Sequence, residues 1–302
     1  MPATERAKTV CAAYGRTIEG KVRAALILKA LPFLVGCFSR PRQTTRFFMR
    51  WQNASVAICL GLIWLSSGQV SQAADDQRAR ANVDRVAQLF TSQSSTATVE
   101  MQITKEDLQR TISMQFWSRG EWNILVRILQ PQEDAGTAVL KTDDKTWIYL
   151  PKSNRTVEMQ ASMMTTSWMG SDFTLNDLVN QSRLTNDYAI ATSFEGQRDG
   201  VTVSEYTLTP KPSAAVVWGK IIMEIRQADL MPVWQRYYDE DGKLARELSF
   251  SDYKTVSGRL IPTRLVMRPS DKAGEQTTIT YENIVFDAPI SAEMFSLRKL
   301  GQ

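Results

Sequence analysis

From Thr96 to Phe286, short runs alternating apolar with polar residues follow one another, broken by turn dipeptides. Thr96–Thr104 alternates through Ala97, Val99, Met101 and Ile103, and Thr111–Trp117 through Ile112, Met114 and Phe116. Ile124, Val126 and Ile128 share one face of the next run. Further runs lie at Thr137–Lys141, Thr146–Leu150, Arg155–Met159, Ala189–Phe194, Val201–Leu208, Lys220–Ile225, Val233–Tyr238, Leu244–Tyr253, Leu260–Met267 and Thr277–Phe286. A period of two is that of a strand, whose successive side chains point to opposite faces. The separators Asp143-Asp144, Asp199-Gly200, Asp241-Gly242 and Ser257-Gly258 favour tight hairpins. Strands joined this way form an antiparallel meander rather than βαβ units. About ten such strands are too many for one flat open sheet without strong curling. The expected fold is mainly β with a few helices: a curved antiparallel sheet rolled into a partial or complete barrel, whose interior side chains need not fill.

Two local patterns refine this picture. Asp75 to Phe90 places Val83, Val86, Ala87 and Phe90 at helical spacing with charges between them, which predicts one opening helix. Several strands carry large apolar residues on both faces: Trp147 and Tyr149 point one way, Ile148 and Leu150 the other, and Ile222 opposes Ile221 and Met223. A sheet with one wet face has no need of this. Either helices or loops cover the second face, or one face packs while the other lines a greasy cavity, and the two readings are compatible.

The segment Met49 to Ala74 reads as a secretory signal. Arg50 sits in a short n-region, Ala54 to Leu65 is an unbroken run of small and apolar residues, and Ser71-Gln72-Ala73 fits an A-x-A-like site. A membrane-spanning helix needs about 20 apolar residues, more than this run supplies. Cleavage after Ala73 is expected, leaving 74–302 as a single β domain of a size that buries a sizeable core. Residues 1–48 then read as a start codon placed upstream of the true start at Met49, or as an extended leader. Leu34-Val35-Gly36-Cys37 offers a lipobox-like alternative, although Lys29 and Pro32 interrupt the stretch before it. Residues 1–73 hold ten of the 36 Lys and Arg and two of the 32 acids. The remainder carries 26 basic against 30 acidic side chains, a net charge of −4. The basic balance belongs to the leader, and nothing after it suggests a nucleic-acid surface. The bacterial periplasm is the expected location.

The chemistry available is narrow. The chain has no histidine, and its three cysteines, Cys11, Cys37 and Cys59, all lie at or before the signal segment. Imidazole- and thiol-based nucleophiles and His- or Cys-ligated metals are thereby excluded from the exported part. Carboxylates remain, but Asp143-Asp144 and Asp239-Glu240-Asp241 sit in hairpin turns, where solvation explains them better than acid–base work. No phosphate-cradling glycine loop or dinucleotide fingerprint is present. The expectation is a non-enzymatic protein with no catalytic residues, no metal and no cofactor.

The most specific stretch is the middle one. Trp147-Ile148-Tyr149-Leu150-Pro151 is followed by Arg155, then by Met169-Gly170-Ser171-Asp172-Phe173-Thr174 and Asp177-Leu178. This pattern resembles the outer-membrane lipoprotein-sorting family, a LolA-like group of periplasmic proteins often associated with RND (MMPL-type) transporters. The likeness extends over nearly all of 74–302. It implies a LolA/LolB-like fold: an incompletely closed antiparallel barrel, with helices and loops as a lid over a hydrophobic cavity. It also implies a carrier that binds acyl chains of a lipoprotein or lipid and passes them toward the outer membrane. The alternative is an adaptor or sensor module that binds an inner-membrane RND/MMPL-type transporter or another membrane protein.

A carrier needs a dry cavity, because exposing an acyl chain to water costs about 0.8 kcal/mol per methylene. Flexible methionines and broad aromatics suit such walls. The candidate lining is Met114, Phe116, Trp147, Tyr149, Met163, Met164, Trp168, Met169 and Phe173. Met114, Phe116 and Trp147, each taken singly, also read as ordinary core. The loop set Met163, Met164, Trp168 and Met169 reads as a lid or partner contact. On that reading Trp168→Glu weakens acyl-probe binding without unfolding the domain. Pro151, Arg155, Gly170, Ser171 and Asp172 are expected to shape the motif, with Gly170 in a conformation closed to other residues. Asp172 is expected to cap the next helix or pair with Arg155, and Thr174 or Asn176 is a further candidate cap. Arg127 is expected to meet a carboxylate inside the barrel or a lipid headgroup. Arg226, Arg246 and Arg264 are expected on the solvated face.

Overall fold

A computed structural model describes residues 75–143, 145–179, 184–214 and 216–301. The segment read as a secretory signal, the cleavage site expected there and all three cysteines lie outside the described residues. The chain opens with helix α1, residues 75–87, which buries Ala79, Val83 and Val86 on one face. Six strands follow: β1 (Ser95–Lys105), β2 (Leu108–Arg119), β3 (Asn123–Gln130), β4 (Ala138–Thr142), β5 (Lys145–Leu150) and β6 (Arg155–Glu158). Three short helices come next: α2 (Ala161–Met164), α3 (Leu175–Val179) and α4 (Leu184–Asp187). Seven more strands run from β7 (Tyr188–Arg198) and β8 (Val201–Pro210) through β9 (Lys220–Arg226), β10 (Pro232–Tyr238), β11 (Leu244–Val256) and β12 (Arg259–Pro269) to β13 (Gln276–Phe286). A 3-10 turn (Ala292–Phe295) and helix α5 (Leu297–Leu300) close the chain. Every run read as a strand from sequence is a strand, within about two residues at most ends.

All thirteen strands belong to one antiparallel sheet, ordered β6-β5-β4-β3-β2-β1-β13-β12-β11-β10-β9-β8-β7. It consists of two meanders joined where β1 pairs with β13. The sheet is open, with β6 and β7 as its edges. The segment 159–187, carrying α2, α3 and α4, is the connection between those edges. The hairpins follow their turn residues. Asp199 and Gly200 (φ 50° and 79°) and Ser257 and Gly258 (φ 50° and 78°) each form a two-residue loop with both residues left-handed, the geometry that matches strand twist. At the Asp239–Gly242 turn, the Gly242 N–H donates to the Asp239 carbonyl, and a register shift at Tyr237/Tyr238 lies just before it.

The sheet curls strongly. One cavity touches both Thr146 on β5 and Ile221 on β9, which are nine strand steps apart in the sheet order. Neighbouring strands lie roughly 4.8 Å apart, so those strands would stand roughly 40 Å from each other in a flat sheet. On the inner face a single apolar cluster joins α1, β1–β4 and β8–β13 with Trp168, Phe173, Leu175 and Val179 of the connecting segment. The outer face of β3–β5 is apolar too. Leu125, Ala138 and Leu140 pack there against Phe295 and Leu300, with Trp117, Trp147 and Tyr149 around them. The C-terminal turn and α5 therefore cover the second face, while the cavity lies on the first.

Candidate ligand-binding cavity

Alternation along β9–β12 turns Ile221, Tyr237, Leu248, Phe250, Leu265 and Met267 inward, and together they form one wall of a cavity of about 510 Å3. The end of α1 supplies Val86 and Ala87, and the turn after it Leu89 and Phe90. The β6–β7 connection supplies Ala161, Met164, Thr165, Phe173, Asn176 and Asp177. The loop between β8 and β9 adds Ser213, Val216, Val217 and Trp218. The volume falls within the roughly 300–1,000 Å3 of small-molecule sites. The lining is mixed: the apolar sheet wall faces polar groups that include Lys141, Asn176, Asp177, Asp187 and Gln235.

Residues 167–174 build the lid locally. Ser167 and Thr174 face each other as an antiparallel bridge. Inside it, the Trp168 N–H donates to the Phe173 carbonyl at 2.9 Å and the Ser171 N–H to the Trp168 carbonyl at 2.9 Å. Met169 and Gly170 occupy the turn with φ of 55° and 81°, both left-handed, so Gly170 stands where a side chain is strained. The Ser171 hydroxyl, buried, donates to the Phe173 carbonyl. Thr174 then caps α3 in a reciprocal box: the Asp177 N–H donates to the Thr174 hydroxyl, and the Thr174 N–H and hydroxyl both donate to the Asp177 carboxylate, at 2.7 Å each. Asn176 is not the cap.

Two ion pairs pin this lid to the sheet. Arg246 of β11 donates to both Asp177 carboxylate oxygens, at 2.7 and 2.8 Å, and to the Asp172 carbonyl at 3.1 Å. Its guanidinium also lies over the Trp218 and Tyr237 rings, at 4.6 and 4.5 Å. Burial alone would pull the Arg246 pKa down, but the charge and hydrogen bonds of Asp177 outweigh it and hold it above its ordinary value. Arg246 is thus buried and partnered, not solvated as its strand position suggested. Asp172 pairs with Lys105 at 3.1 Å and accepts from the Thr277 hydroxyl at 2.7 Å. Arg155 is exposed on the edge strand β6, so the expected Asp172–Arg155 pair is replaced by Asp172–Lys105.

Lys141 of β4 is buried at the cavity wall, where its ammonium donates to the Val179 carbonyl at 2.9 Å. Gln235 is buried as well and accepts from the Tyr237 hydroxyl at 2.7 Å. Desolvation raises the pKa of Tyr188 and of Tyr237, and pushes that of Tyr281 up to about 12.

The nine lining candidates separate into distinct places. Met164 and Phe173 line the main cavity, and Phe116 lines a smaller pocket of about 100 Å3 beside it. Met114 and Trp168 are buried in the inner core, and Met169 packs against it. A charge at Trp168, 5% exposed, would therefore test the folding of the lid rather than its opening. Met163 is 41% exposed on α2. Trp147 and Tyr149 lie on the outer face beneath the C-terminal helix. Period two separates Trp147 and Tyr149 from Ile148 but does not say which face meets the cavity. Arg127 also serves the outer face: it donates to the Lys299 carbonyl at 2.8 Å, and desolvation lowers its pKa. It meets neither an internal carboxylate nor the cavity. Arg226 is part-buried and pairs with Asp229. Pro151 opens a 3-10 turn after β5.

Among the described residues, no group of three or more Asp, Glu, Cys or His side chains is placed to hold a metal ion. No helix among them is long and apolar enough to cross a membrane.

A family model described as "Uncharacterized protein" matches residues 120–302, and the chain belongs to that family. No curated relative matches by sequence. Among solved structures, a DUF1329 family protein from Desulfovibrio piger superposes with a TM-score of 0.69 at 23% identity, covering 75% of this chain and 99% of that one. A putative outer membrane lipoprotein-sorting protein domain from Vibrio parahaemolyticus gives 0.67 at 20% identity, covering 75% and 100%. A LolA superfamily protein from Nitrosomonas europaea gives 0.63 at 18% identity, covering 73% and 98%. The fold is LolA-like: mainly β, with an open, curved antiparallel sheet and few helices.

Proposed function

We propose that this protein is a non-enzymatic periplasmic carrier that shields the acyl chain of a lipid or lipoprotein on its way toward the outer membrane. The observation that carries the reading is the cavity of about 510 Å3 between the inner sheet face and the lid. Its β9–β12 wall is aliphatic and aromatic apart from Gln235, so a hydrocarbon chain placed against it leaves water at a gain of about 0.8 kcal/mol per methylene. The lid is a short segment held by side-chain ion pairs rather than by the sheet's ladder, which suits a cover that must open. The likeness to a lipoprotein-sorting domain and a LolA superfamily protein supports the same reading through the fold.

The test is native mass spectrometry of the exported protein, followed by solvent extraction. An acyl-bearing ligand is expected in the wild type and lost in Leu265→Arg, which places a charge on the cavity wall. Protein that carries no amphiphile and takes up no added fatty acid would refute the carrier reading.

A further inference from the structure

Beside the main cavity lies a second hollow of about 100 Å3, and its floor follows from strand register. Ala97 on β1 sits directly between Phe116 on β2 and Ile284 on β13, all on the inner face. One row further, Ser95 sits between Ser118 and Phe286. Ala97 between two large neighbours, with the small pair Ser95 and Ser118 in the next row, leaves a dent in this part of the inner face. Leu178 and Val179 of α3 line the dent as well, so the lid segment borders both spaces. Ala87 and Phe90 line both the dent and the main cavity, and no other among the described residues does so. The Phe90 ring stacks on Tyr281, with centroids 4.7 Å apart and planes 16° apart. It lies beyond α1, in a turn, where no helix ladder fixes it.

We propose that the dent is a second binding site, taking the terminal methylenes of a long aliphatic chain whose upper part fills the main cavity, with Phe90 as the movable partition. The inference rests on the acyl-binding reading above and adds a measure of chain length to it. The hollow is too small to hold a ligand of its own but large enough to reward the last few carbons of one already bound. Each methylene that finds dry space is worth about a fourfold gain in affinity.

The test is displacement of cis-parinaric acid from the exported protein by saturated fatty acids from decanoate to stearate. In the wild type affinity should keep climbing to the longest acids. Ala97→Leu fills the dent, and should leave decanoate unchanged while lowering stearate affinity about tenfold or more. Ile284→Phe fills the same space from a half-buried position and carries the test if Ala97→Leu does not fold. Phe90→Ala removes the partition and should favour stearate over decanoate more than the wild type does. Length profiles that run parallel in wild type, filled and opened variants overturn the second site while leaving the carrier reading intact. If no acid of any length displaces the probe from wild type, the carrier reading falls and this one with it.

Discussion

Strands β3–β5 carry apolar side chains on both faces, and the two faces are covered in different ways. On the outer face the chain supplies its own filling. Phe295 and Leu300 settle on Leu125, Ala138 and Leu140, and Arg127 fastens α5 by its last carbonyls. On the inner face the cover is a lid of short helices and a tight hairpin, tied down at Arg246–Asp177 and Lys105–Asp172, with a cavity of about 510 Å3 left beneath it. Aliphatic packing that closes completely stabilises and cannot exchange. Packing that stops short leaves surface that only a second molecule can cover. On the carrier reading, one sequence uses similar residues for a permanent seal and for a replaceable one.

The contrast predicts that the outer seal is the more costly to break. Phe295→Ala should lower stability by about 3–5 kcal/mol, the usual range for emptying a buried aromatic site. Acyl-probe affinity per folded molecule should hold. Denaturant unfolding with a parallel binding titration reads both. Loss of binding at full stability would show that the two faces are not independent.

The lid pair comes next. Asp177→Asn leaves the Arg246 charge buried without its counter-ion, which typically costs about 3–5 kcal/mol, with the lower end expected because the Asp177 side chain is 15% exposed. Part of the capping box should survive, because an amide oxygen can still accept from Thr174. Replacing both partners, Arg246→Met with Asp177→Leu, should recover much of the loss, since no buried charge remains. Equal damage from the single and double changes would mean that the cap, not the ion pair, holds α3. A smaller effect is expected from Arg127→Met, roughly 1.5–3 kcal/mol for a charged hydrogen bond to the Lys299 carbonyl. Hydrogen exchange should then speed up in residues 292–301 and stay unchanged in the lid.

Much of this architecture could be read from residues, because strand identity rests on local alternation and on turn chemistry that tolerates few substitutes. Asp199-Gly200 and Ser257-Gly258 fix their hairpins almost alone. Gly170 was also legible, since a Met-Gly pair between Trp168 and Ser171 has few other uses. What the alternation cannot carry is which face turns inward, and that choice is set by residues far along the chain. Trp147 and Tyr149 look like cavity walls until Phe295 and Leu300, some 150 positions later, claim their face. Arg246 looks solvated until Asp177 arrives from another element. The wall of β9–β12 spreads its aromatic and methionine side chains singly over separate strands, as Tyr237, Phe250 and Met267, so no one stretch of sequence marks it.

The smallest expected effect on stability bears most directly on the cavity. Leu248→Trp adds bulk at a buried position that borders the void. In a filled core such an insertion costs about 1–3 kcal/mol, because neighbours must leave their rotamers. Beneath the lid the added ring has room, so the change in stability should stay within about 1 kcal/mol, while acyl-probe affinity drops at least tenfold through lost volume. The matched control is Ala138→Leu on the outer face, a smaller addition where Phe295 and Leu300 already close the space. It should cost more than Leu248→Trp does and leave probe affinity alone. Should the two costs come out in the opposite order, the inner space is filled in solution by the lid's own side chains. The distinction between a permanent and an exchangeable cover would then have to be abandoned.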